Sequence, residues 1–132
     1  MVSAREREMR PPRRTRVLGQ TFAVRLVSNL RVPNGEFENP EINEDAAKLI
    51  GVNGVCDSDQ QVIWLERHAG HDGQRATFLH EHLHAIFAIA GMRADLLTAE
   101  TEERVVKCLA PMLLDFLRAN PKAIAYMLEK KP

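Results

Sequence analysis

From Thr21 to Val27 the chain alternates, with Phe22, Val24 and Leu26 on one side and Ala23 and Arg25 on the other. This is the period of two expected of a half-buried strand. Val17-Leu18 precedes it across Gly19-Gln20, which predicts a hairpin closed by a tight turn. Gly54 to Asp57 and Gln61 to Glu66 predict a second hairpin about Asp57-Ser58-Asp59-Gln60. Gln61-Val62-Ile63-Trp64-Leu65 favours extended backbone, with Trp64 expected to pack beneath a helix. Between the hairpins, Val32 to Glu41 holds Pro33, Asn34, Gly35, Asn39 and Pro40 and reads as a loop. Asn43 to Ile50, closed by Gly51, reads as a short helix.

After a loop from Arg67 to Gly73 the pattern becomes helical. Arg75 to Ala90 forms one helix, with Gly91 placed to end it. Thr98 can cap a second helix whose first turn carries Glu100, Glu102 and Glu103, acids suited to the positive end of the helix dipole. That helix runs to Asn120, and Pro121 opens a third that ends near Lys130. The fold class is α+β: a small N-terminal β-sheet of two hairpins followed by three helices.

The chain has 132 residues, of which 45% are hydrophobic and 27% charged, a balance that fits one globular domain and argues against disorder. Its 18 basic residues match its 18 acidic ones, so no global field draws in nucleic acid. The charge is uneven, however. Residues 1–16 hold six arginines (Arg5, Arg7, Arg10, Arg13, Arg14 and Arg16) against Glu6 and Glu8, a net of +4. They read as a flexible Arg-rich arm ahead of a single domain over residues 17–132, and without interleaved aromatics the arm makes at most a weak nucleic-acid contact. The longest weakly polar stretch, Ala85 to Met92, is too short to span a bilayer. No secretory signal is expected at the start of the chain. Cys56 and Cys108 lack metal or disulfide spacing, which points to a reducing, cytoplasmic setting.

Thr77-Phe-Leu-His80-Glu81-His-Leu-His84-Ala85 contains a His-Glu-x-x-His pattern, the HExxH of zinc peptidases. Helical residues four apart lie one turn above each other, so His80 and His84 can reach one ion. Glu81, rotated about 100° from His80, falls beside the metal, where it can accept a proton from water. His82, rotated about 200°, is directed elsewhere. Leu79, Leu83 and Phe87 supply the apolar stripe that carries the two ligands.

Zinc needs a third protein ligand and an open fourth position. Val105, Val106, Leu109, Met112, Leu113, Phe116 and Leu117 are expected to define the buried face of the second helix. Glu102 falls near the centre of that face, Glu103 about 100° away, and Glu100 points backward. A carboxylate aimed into a core is costly unless paired or bound to metal, so Glu102 is the expected third ligand, with Glu103 as the alternative. Held by His80, His84 and Glu102, Zn2+ acidifies water at its fourth position and polarises a carbonyl, while Glu81 acts as general base and then acid. His68 or His71, in the loop before the helix, and Tyr126 on the last helix are candidates to stabilise an oxyanion. An edge strand, Val62 to Glu66, is expected to align an extended peptide.

With these motifs the chain resembles a zincin metallopeptidase of the gluzincin kind, in which HExxH is completed by a downstream Glu. It is similar in particular to the compact bacterial and phage ImmA/IrrE-like peptidases. The likeness covers roughly residues 54–117: the strand Gln61 to Leu65, a polar loop, Thr77-Phe-Leu-His-Glu-x-Leu-His-Ala, and an acidic helix start. The resemblance implies a minimal zincin-like fold and a cytoplasmic, zinc-dependent endopeptidase acting on a protein or peptide, often a regulatory protein, without a membrane partner. The alternative is a non-catalytic metal-binding protein of the same fold with a docking or DNA-contacting role.

Overall fold

The computed structural model describes residues 9–33, 49–92 and 97–131. Its elements are β1 (Arg14–Val17), β2 (Gln20–Val27), β3 (Arg31–Pro33), β4 (Leu49–Gly51), β5 (Gly54–Asp57), β6 (Val62–Glu66), α1 (His71–Ile89), α2 (Ala99–Ala119) and α3 (Pro121–Leu128). Among the described residues the architecture is α+β, strands first and three helices after. Both expected hairpins form, and they join through a parallel pairing of β2 with β6, giving a mixed sheet of order β1-β2-β6-β5. β3 and β4 form a separate antiparallel pair.

The first hairpin turns one residue earlier than expected. Val17 pairs with Gln20, so Leu18 and Gly19 are the turn, with φ of 47° and 85°. Two consecutive residues in the left-handed region are what a type I′ turn requires, and its twist matches that of the flanking strands. The arm is also shorter than expected. Arg14 and Arg16 are in β1, and Met9 to Pro12 line a cavity of about 160 Å3 with Gln74, Arg75 and Phe78 of α1. Arg75 donates to the Met9 carbonyl at 3.2 Å. Residues 1–8 lie outside the described residues. So do 34–48, which hold most of the expected loop and short helix; the end of that helix, Leu49-Ile50, is strand instead. β3 likewise takes Val32 and Pro33 from the expected loop.

α1 is the centre of the molecule because both of its sides are covered. Phe78, Ala85 and Ile89 pack on the sheet against Phe22, Val24, Ile63 and Leu65. Leu79, Leu83 and Phe87 pack on the other side against Val106, Leu109 and Ala110 of α2. That double cover buries five consecutive residues, Glu81 to Ala85. Gly70 precedes α1 and Gly91 follows it, with φ of 84° and 73°. The helix therefore starts at His71, four residues earlier than expected.

Thr98 caps α2 as expected, its side chain accepting from the Thr101 amide at 3.1 Å. Its buried stripe is narrower than the apolar residues suggested: Glu102, Val106 and Ala110, one turn apart, while Val105, Met112 and Phe116 are exposed. A single neighbouring helix covers only a narrow stripe, and residues about 60–100° to one side remain in solvent. Cys108, about 200° around the helix from Val106 and so nearly opposite the stripe, is exposed as well. Trp64 also differs from expectation. It alternates with the core residues Ile63 and Leu65 and so faces away from α1, beneath Arg25, whose guanidinium carbon is 5.8 Å from the ring centroid.

Candidate metal centre

His80, Glu81 and His84 lie in the second half of α1, and the first two turns of α2 lie alongside. The Nε2 atoms of His80 and His84 are 3.2 Å apart. Glu103 reaches both, one oxygen 3.3 Å from His80 Nε2 and the other 2.8 Å from His84 Nε2. Glu103, not Glu102, completes the group of three ligand atoms that can hold a metal ion.

Glu102 has a different place. It is 3% exposed, as its position on the buried stripe requires, and its Oε2 is 3.0 Å from His84 Nδ1. A carboxylate only accepts, so Nδ1–H is the donor and the Nε2 lone pair is left facing His80 and Glu103. A buried acid needs a partner, and here the partner is an imidazole N–H. Glu103, one residue on and about 100° around the helix, sits at the flank of the interface with its side chain 42% exposed, where solvent can reach an ion. Carboxylate–imidazole pairs of this kind set the tautomer and orientation of a ligating histidine.

The donor chemistry fits a small cation. A tetrahedral ion with bonds of about 2.0–2.1 Å sets its ligand atoms about 3.3 Å apart; the separations here are 3.2 and 3.3 Å, and 2.8 Å between His84 Nε2 and the second Glu103 oxygen. Burial holds the His80 pKa below the usual imidazole value, against the opposing pull of Glu103; a neutral ring keeps its lone pair for a metal. Glu81 lies beside the group, Oε1 3.9 Å from His80 Nε2. Its burial pushes its pKa up to about 7, with His84 pulling down and Glu103 pushing up.

β5 closes over Glu81. A Cβ added at Gly54 would collide with Thr77 Cγ2 and come within 2.9 Å of Glu81 Cγ. The glycine is there because the strand backbone and the helix touch. A lone glycine in a strand signals such a close approach, and Gly54 is the one sign in the sequence that β5 meets α1 here.

His82 stands on the opposite side of α1 from the ligand pair. Its Nδ1–H donates to the Phe78 carbonyl at 2.6 Å, which leaves Nε2 to accept from the Thr15 hydroxyl at 2.8 Å. It fastens the helix to β1. The candidate oxyanion groups are not brought to the centre. His71 opens α1 nine residues before His80, about 13 Å along the axis, exposed and beside Asp72. His68 is 3.3 Å from the Ser28 hydroxyl, and Tyr126 is 80% exposed on α3. The strand expected to align a substrate also changes. β6 lies between β2 and β5 with both edges paired, so the edge strand beside Glu81 is β5.

Among the described residues no helix is long and apolar enough to cross a membrane. Compared with protein-family models, curated proteins and solved structures, the chain matches none.

Proposed function

We propose that this chain is a zinc-dependent endopeptidase. One observation carries the reading: two imidazole nitrogens and a carboxylate meet at 2.8–3.3 Å with a buried carboxyl beside them. His80, His84 and Glu103 are the residues that would hold zinc, and three protein ligands leave a fourth position for water or substrate. When bound, the ion would supply Lewis acidity, making a water a stronger acid and polarising the scissile carbonyl.

The chain's own residues do the rest. Glu81, with its pKa raised to about 7, is matched to a general base that takes a proton from the attacking water and returns it to the leaving amine. Glu102 holds His84 in the tautomer that a ligand needs. The outer edge of β5 begins at Gly54 against Glu81, and an extended peptide adding to that edge would pass beside the site. A cytoplasmic regulatory protein is the substrate class that the motif's resemblance to zincins implies.

The test is metal content by mass spectrometry on untagged protein, followed by peptide-library cleavage. Wild type is expected to hold about one zinc per chain, Glu103→Ala to lose it, and Glu102→Ala to bind it about 10–100-fold more weakly. Cleavage is expected in wild type and absent in Glu81→Gln. No zinc in wild type after zinc is supplied overturns the metal site. Zinc bound with no peptide cleaved transfers the centre to the non-catalytic reading.

A further inference from the structure

α1 covers one face of the four-stranded sheet, and the strand residues that alternate with the core point to the other. On β1 these are Arg14 and Arg16, which flank the core-facing Thr15 and are exposed. On β2 Arg25 is exposed in the same sense, between the core-facing Val24 and Leu26. The register arranges these three arginines in order. Arg16 is paired with Thr21 and Arg14 with Ala23, while Arg25 follows on β2 itself. Thr21, Ala23 and Arg25 are successive outward positions, so the three arginines start from consecutive rows about 6.6 Å apart along the strands, with Arg16 Nη2 donating to the Gly19 carbonyl at 3.3 Å.

Beside this ladder lie apolar outward-facing residues. Ala23 is level with Val62, and Arg25 with Trp64, which is in turn level with Val55 on β5. Trp64 is half-buried with Arg25 over its ring. The acids at the margin are turned to the backbone. Glu66 accepts from the amides of Asn29 and Leu30, and Asp57 from that of Gln60.

We infer that this face binds single-stranded nucleic acid, its phosphates running along Arg16, Arg14 and Arg25 and a base stacking on Trp64. A row of positive charge beside a partly exposed aromatic ring is the combination single-strand binders use. The charge alone would suit an acidic peptide; the indole set level with a guanidinium adds a stacking surface that such a peptide does not use. Trp64 lies about forty residues beyond Arg25 in sequence, and folding sets the two level on neighbouring strands.

Trp64 is the only tryptophan of the chain, so its fluorescence reports directly on stacking. The experiment titrates the full chain with a fluorescein-labelled 15-residue oligothymidylate, reading tryptophan quenching and label anisotropy together. Binding with quenching is expected, weakening about twentyfold between 50 and 200 mM salt for three phosphate contacts. Trp64→Leu is expected to weaken binding about tenfold or more, and Trp64→Phe to restore most of it. The triple variant Arg14→Gln/Arg16→Gln/Arg25→Gln should lose binding and its salt dependence while keeping the wild-type circular dichroism spectrum and metal content. No quenching or anisotropy change at 50 mM salt overturns the inference, as does binding that survives in the triple variant. Equal displacement by polyglutamate overturns it in favour of an acidic protein partner.

Discussion

Glu81 couples the candidate centre to the stability of the metal-free protein. In an unfolded chain its carboxyl titrates near 4.5, whereas burial in the folded protein raises that to about 7. The folded state therefore holds this proton more tightly, and the group's contribution to stability is complete below pH 4.5 and lost as pH rises through 7. Two and a half units at 1.36 kcal/mol each give a cost of about 3 kcal/mol for the ionised form above pH 8. Glu81→Gln keeps the shape and removes the charge. In chelator-treated protein the variant should gain on wild type by almost nothing at pH 4, about 2 kcal/mol at pH 6 and about 3 kcal/mol at pH 8. Urea unfolding across that range measures the difference. His80 and His82, held neutral by burial, lose stability as pH falls below about 6.5 in both proteins and so cancel to first order. A difference between wild type and Glu81→Gln that stays flat from pH 4 to 8 would refute the burial argument and with it the assignment of Glu81 as base. Loading with zinc should shrink the difference, since a nearby dication favours the carboxylate.

Gly54→Ala places a methyl against Thr77 and Glu81; overpacking of this kind should lower stability by about 1–3 kcal/mol and reduce any hydrolysis more than zinc content, read by unfolding and metal analysis. Thr15→Val removes the hydroxyl that His82 Nε2 accepts from, and leaving a buried acceptor unpaired should cost about 1–3 kcal/mol, with zinc stoichiometry unchanged because His82 faces the sheet. Leu18→Asn should stabilise the first hairpin by up to about 1 kcal/mol, since Asn tolerates the left-handed φ of 47° better than Leu; a thermal melt that falls instead would show that the exposed Leu18 side chain makes contacts that matter.

Local chemistry determined much of this protein from its sequence. Alternation at Phe22, Val24 and Leu26 specified a strand with a buried side. Thr98 and Pro121 fixed two helix starts because a free hydroxyl and a missing N–H suit those positions wherever they occur. The i, i+4 spacing of His80 and His84 set them on one helical face, with Glu81 beside them and His82 behind, since that geometry depends only on the helix. The tertiary structure decided what depends on neighbours. Which of Glu102 and Glu103 joins the two Nε2 atoms in a group that could hold a metal depends on how α2 rolls against α1: the roll buries Glu102 on His84 Nδ1 and leaves Glu103 at the flank. The parallel pairing of β2 with β6 made β6 an inner strand and left β5 as the edge beside Glu81. It also set Trp64 beside Arg25, residues far apart in the chain. Periodicity along one segment shows which residues share a face, but the identity of the opposing surface comes from long-range packing, and that is where the ligand choice, the edge strand and the basic aromatic face arose.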